Sequence, residues 1–257
     1  MKKKSKGSPQ KSAKAFVTFR KGEIWVSELF SFIIASLIFI CLLFLGSVII
    51  RKEFVLRDLD TQIANHKKDT IHLRKDLLDL QERYHVSAVL KSTIRRNVQP
   101  NTIYRLTDIV LKNSRQFGYD PLLLLAVIEV ESSFNPNALG RFRSGRLSGA
   151  LGLMQIKYNT ALEVADFLEI ENLSPNDLFD PEINTVIGTA YLTRLISQFG
   201  SFKLGLLAYN QGPGTIRGYL IRKEPLSVGY YERVLASYYR MREQLNSYDS
   251  IPFFSEK

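Results

Sequence analysis

Between Leu29 and Ile50 the chain runs for 22 residues without a single charged side chain. As a helix rising 1.5 Å per residue this run is ~33 Å long, the thickness of one bilayer core. Every other reading of the chain is constrained by it, because whatever precedes it and whatever follows it are expected on opposite sides of a membrane. A cleaved leader fits less well. The apolar stretch is too long for a leader's hydrophobic region, and no small-x-small cleavage site comes before Arg51. Cys41 is the only cysteine; bulky Ile40 precedes it, so it reads as a small residue of a membrane helix rather than a lipid attachment site. No intramolecular disulfide is possible.

Charge then sets the expected orientation. Residues 1–28 hold eight Lys or Arg and two Glu, a net +6 of the chain's formal +10. A short basic tail beside an apolar span belongs on the cytoplasmic side by the positive-inside rule. The excess is therefore a topology signal rather than a nucleic-acid footprint, and no nucleic-acid partner is expected. The sequence divides into a basic cytoplasmic tail (1–28), a transmembrane helix (29–50), a stalk (51–97) and a catalytic domain (98–257). In the stalk, Leu56, Leu59, Ile63, His66, Thr70, Leu73, Leu77, Leu80 and Tyr84 recur at spacings of three and four. That is a heptad seam sustained for four heptads, with two polar interruptions. It serves either a parallel coiled-coil homodimer or packing onto the chain's own domain. The stretch Arg95–Asn101 reads as a linker.

The rest reads as all-α, a series of helices with no convincing strand. One helix is expected over about 102–117, stopping at Gly118. Asp120-Pro121 and Asp180-Pro181 each combine an N-cap acid with proline at the first helical position. The helix after Asp120 carries Leu122-Leu123-Leu124-Leu125-Ala126-Val127-Ile128, apolar on every side, and is expected to be buried. Residues 135–152, with four glycines, read as a loop.

Three phrases carry chemistry. Glu131-Ser132 closes the apolar helix; its oily neighbours disfavour the ionised form and raise the carboxyl pKa, as a general acid requires. Glu129 is about 200° away around the helix and points elsewhere. Gly152-Leu153-Met154-Gln155 offers a glycine where backbone can approach a ligand, a core Met and an amide. Ala208-Tyr209-Asn210 adds a phenol and a second amide. Together they form a set suited to holding a sugar and protonating a glycosidic oxygen.

In order and spacing, with Tyr230-Tyr231 downstream, these phrases resemble the lytic transglycosylases of the soluble, goose-lysozyme-like SLT-domain family. The resemblance covers about 105–240 and includes Asp180-Pro181, Asn184, Gly188 and Tyr191-Leu192. It implies a lysozyme-like fold and cleavage of the β-1,4 bond between N-acetylmuramic acid and N-acetylglucosamine in peptidoglycan, with a 1,6-anhydro product. It implies Glu131 as the acid, with Ser132, Gly152, Gln155, Tyr209, Asn210 and Tyr231 around the substrate and the Tyr209 hydroxyl near Glu131. Neither metal nor organic cofactor is called for. Arg146 stands where the family places a serine, and Lys157-Tyr158 where it often has Met-Pro. The insertion Gly140-Arg141-Phe142-Arg143-Ser144-Gly145-Arg146 is basic and flexible, and reads either as a merely solvated insertion or as a contact for stem-peptide carboxylates. The expected setting is a bacterial inner membrane with the catalytic domain in the periplasm. A goose-type lysozyme hydrolase and a non-catalytic peptidoglycan-binding scaffold are the rival readings.

Overall fold

A computed structural model describes residues 21–94 and 99–249. The basic tail as far as Arg20, Arg95–Val98 of the expected linker and residues 250–257 lie outside them. The chain divides into two compact units, one ending at Leu73 and the other starting at Arg74.

Helix α1 (Lys21–Thr93) contributes to both units. Its stretch Glu28–Thr93 includes an 18-residue window of mean hydropathy 3.0, long and apolar enough to cross a membrane. The side chains of Leu29–Ile50 lie on the outside of the helix, Phe32 at 73% and Ile50 at 72% exposure, as a lipid-facing segment requires. The apolar members of the heptad seam are exposed too, Leu59, Ile63 and Leu73 among them.

The second unit is predominantly helical, as the sequence indicates. The final turns of α1 join it: Val86, Val89 and Leu90 are buried in its core, and Arg115 on α2 (Pro100–Phe117) bonds Asp79 and Glu82 of α1. Helix α2 stops at Gly118. Helix α3 (Pro121–Ser132) starts where Asp120 accepts the Leu122 backbone N–H at 2.8 Å. Its segment Leu124–Ile128 is buried throughout, which makes it the central strut of the core. Helix α5 (Pro181–Phe199) repeats the device, Asp180 accepting from the Glu182 N–H at 2.8 Å. Helix α3 packs on α8 (Gly229–Asp249), and α5 packs on α2 and α6 (Phe202–Gln211).

The stretch read as a loop, 135–152, holds the first two strands of a three-stranded antiparallel sheet, in the order β1 (Leu139–Arg141), β2 (Leu147–Leu151), β3 (Ile156–Lys157). Its strands are too short to show a period-two pattern, so backbone pairing builds them without a sequence signal. Leu139 pairs with Leu151 and Ala150 with Lys157. Helix α4 (Tyr158–Phe167) follows β3 directly, and α7 (Pro213–Arg222) links α6 to the turn before α8.

Candidate active site

A cleft of about 780 Å³ opens between the end of α3, the sheet and the end of α6. Glu131, Ser132, Gln155, Tyr209 and Asn210 all line it, so the three phrases separated by some 80 residues meet at one place. Glu131 comes from the last turn of α3, where the apolar core ends and the cleft begins. The Tyr230 hydroxyl donates to its Oε1 at 2.6 Å. Burial pushes the Glu131 carboxyl up to about 7, against the Tyr230 hydrogen bond and the nearby Arg233 guanidinium, which pull it down. Burial and the neighbouring Glu131 charge hold the Tyr209 and Tyr230 phenols well above their ordinary range, so both remain O–H donors.

Glu129 has a different environment. Its Oε2 accepts from the Ser237 hydroxyl and the Arg240 guanidinium, both on α8. It does not line the cleft.

The floor of the cleft hangs on one buried amide. Asn184 on α5 accepts the Met154 N–H at 2.7 Å and donates to the carbonyls of Leu151 at 2.9 Å and Leu178 at 2.8 Å. This fixes the loop that carries Gln155, and it leaves the Met154 carbonyl to accept the Tyr209 hydroxyl at 2.7 Å. The Tyr209 phenol therefore braces the loop rather than bonding Glu131. Gln155 donates through Nε2 to the carbonyls of Gly152 at 2.8 Å and Ala138 at 3.2 Å. The Ser132 hydroxyl donates back to the Ile128 carbonyl at 3.1 Å, so it bonds its own helix and not the acid.

Two positions differ from expectation. Gly152 is buried and does not line the cleft. Its φ is +76°, and a Cβ there would come within 2.2 Å of the Leu178 carbonyl and 2.4 Å of the Asn184 amide. Glycine is needed there for the Asn184 contact. Tyr231 also lies off the cleft lining: its ring meets the Phe202 ring edge-on at 6.4 Å, under the Lys203 ammonium at 5.6 Å. Its neighbour Tyr230 is the phenol on Glu131. The signal was present in the sequence, since Tyr230, Val234, Ser237 and Met241 recur at helical spacing and all are buried. Tyr191, read as scaffold, lines the cleft with its ring 5.5 Å from that of Tyr209. Arg141, Lys157 and Thr160 line it as well. Among the described residues Glu131 is the only carboxylate in the lining, and residues 132–162 contain no Asp or Glu. Among the described residues no three His, Cys, Asp or Glu side chains gather to hold a metal ion.

Residues 108–225 match the family described as "Transglycosylase SLT domain". The chain is 37% identical over 123 residues to the membrane-bound lytic murein transglycosylase C of Edwardsiella ictaluri, an alignment covering 44% of this chain and 33% of that one. It is 36% identical over 134 residues to the soluble lytic murein transglycosylase of Escherichia coli K12, covering 45% and 20%. The crystal structure of the 70-kDa soluble lytic transglycosylase of Escherichia coli aligns at 29% identity with a TM-score of 0.46, over 57% of this chain and 26% of that one. The chain thus spans a fifth to a third of the length of these two curated relatives.

Proposed function

We propose that this chain is a membrane-anchored peptidoglycan lytic transglycosylase. One observation carries the reading: a single carboxyl, poised near neutrality by burial and held by a neutral phenol, stands at the edge of a polar cleft in an SLT domain. Glu131 in its acid form protonates the glycosidic oxygen as the bond from the muramyl C1 breaks. The substrate's own 2-acetamido group supports the positive charge at C1. Glu131, now a carboxylate, takes the proton from the muramyl C6 hydroxyl while that oxygen closes on C1. A 1,6-anhydro ring forms and the acid is regenerated. Gln155, Asn210 and Tyr191 line the path of the glycan, Ser132 holds the end of α3, and Tyr209 keeps the cleft floor in place.

A hydrolase of inverting type needs a second carboxyl ~6.5–9.5 Å from the acid to activate water. The cleft lining offers none besides Glu131, which favours the internal hydroxyl as nucleophile. Detergent-solubilised full-length protein digesting sacculi should give muropeptides lighter by one water than hydrolysed ones. Predominantly reducing ends would make the protein a lysozyme-type hydrolase, and no cleavage would favour a binding scaffold.

The placement of the chain belongs to the same proposal. Leu29–Ile50 spans the inner membrane with the basic tail in the cytoplasm, and the unit from Arg74 onward works in the periplasm. A reporter active only in the periplasm, fused after residue 257, should be active; cytoplasmic activity at that position would reverse the topology. The exposed seam from Leu56 to Tyr84 pairs two copies in parallel. Single cysteines at 59 and 77 in a Cys41→Ser background should then crosslink like to like, and exclusively monomeric protein in the membrane would sink the pairing.

A further inference from the structure

The insertion at 140–146 is a built hairpin wall. The Phe142 N–H donates to the Arg146 carbonyl at 2.9 Å, and the Gly145 N–H to the Phe142 carbonyl at 2.8 Å. The Arg141 guanidinium donates to the Gly145 carbonyl at 2.9 Å, and the Arg146 guanidinium stands 5.3 Å over the Phe142 ring. Three guanidinium groups are thereby gathered on one turn. Arg141 and Phe142 face the cleft, and Lys157, on the same sheet, lines it too.

These cations differ from many others of the domain. Arg83, Arg105, Lys112, Arg115, Arg194, Arg222 and Arg240 each sit on a carboxylate. Among the described residues Arg141, Arg143, Arg146 and Lys157 have no such partner, and no acid lies anywhere in residues 132–162. Four like charges left unneutralised on one wall repel one another. Nor do they serve the acid: a cation beside Glu131 would lower its pKa, and the one that does so is Arg233. The wall therefore presents positive charge along the cleft. An uncharged amino-sugar ring has no use for it.

We infer that the hairpin is a binding site for the free carboxylates of the peptide stems that a peptidoglycan strand carries. Arg141 and Lys157 meet the stem nearest the cleft, and Arg143 and Arg146 extend the contact outward. A guanidinium fork suits a carboxylate, with two parallel N–H···O bonds. The inference rests on the peptidoglycan reading above and adds a preference to it: stem-bearing strands are selected over stripped ones.

Binding separates the two ideas because it needs no turnover. Full-length Glu131→Gln protein in detergent would be sedimented with intact sacculi and with sacculi whose stems an amidase has removed. Intact sacculi should bind at least about tenfold more tightly. Adding Arg141→Gln, Arg143→Gln and Arg146→Gln should bring the ratio to within about twofold. The Lys-for-Arg triple should recover part of it. Lys91→Gln, Arg217→Gln and Lys223→Gln remove the same charge elsewhere and should leave the ratio alone. Arg143→Gln alone, at the exposed tip, should lower the ratio if the triple does not fold. Equal binding of both sacculi by the intact hairpin, or an equal fall in the charge control, overturns the stem site and leaves the peptidoglycan reading standing. No binding to either overturns both.

Discussion

Glu129 and Glu131 stand two residues apart on α3, and α8 supplies a partner to each. Glu129 meets a guanidinium and a hydroxyl, from Arg240 and Ser237. Glu131 meets a single neutral phenol, from Tyr230, at the mouth of a cleft. The first arrangement satisfies a charge and ties two helices together. The second leaves a carboxyl that burial pushes toward its neutral form. Residue type and helix are the same; the charge of the partner and access to the cleft separate a structural carboxylate from a candidate acid.

The largest test of that contrast is Glu131→Gln. Sacculus digestion by this variant should fall by ~10²–10⁴-fold, the usual cost of losing a positioned acid. Wild-type rates from it would end the assignment. Its stability should move the other way. A carboxyl with a native pKa of about 7 and an unfolded value of 4.5 favours the folded state fully below 4.5, and that contribution is lost as pH rises through 7. The loss reaches about 3 kcal/mol at pH 8. Glu131→Gln removes it, so thermal denaturation at pH 8 should show a higher midpoint than wild type, with the gap closing at pH 4.

The next effect is on the pH profile. Catalysis needs the protonated acid, so wild-type activity should decline as pH rises through about 7. The Tyr230 hydroxyl stabilises the ionised form. Tyr230→Phe should therefore cost about tenfold in rate and shift the alkaline limb upward. A limb that stays in place or moves down would contradict the hydrogen bond. Tyr231→Phe, one position along the chain, should leave the profile where it is.

Glu129→Gln should have the smallest effect on activity, within about twofold of wild type. It weakens a partly solvated ion pair, so urea denaturation should show a loss of about 1 kcal/mol. A large loss of activity with unchanged stability would invert the two roles.

Much of this was readable beforehand, and the exceptions have physical reasons. Asp120-Pro121 and Asp180-Pro181 mark helix starts because cap chemistry is local, and both are observed. The buried helix was readable because Leu122–Ile128 has no polar face. At Tyr230-Tyr231 a short local phrase does not tell which phenol faces the acid, whereas the buried stripe of α8 does. One residue along a helix is a 100° turn, enough to move a phenol off the acid. The sheet at 139–157 escaped notice because its longest strand has five residues and glycine interrupts it. The packing role of Gly152 has no local signature, because its neighbour Asn184 is 32 positions away.

Asn184 also affects how the cleft moves. Its one side chain satisfies backbone groups at 151, 154 and 178, and it has no exposed surface. Lifting the loop away would strand several buried polar groups at once, each at a cost of about 1–3 kcal/mol. Breathing of the cleft floor is therefore tied to opening of the core. The Met154 amide, though in a turn, should exchange its hydrogen with solvent at the slow pace of the central helices, while the hairpin tip at Ser144 exchanges freely. The cleft thus joins a floor that opens only with the core to a rim that yields by itself, without loosening the groups around the acid.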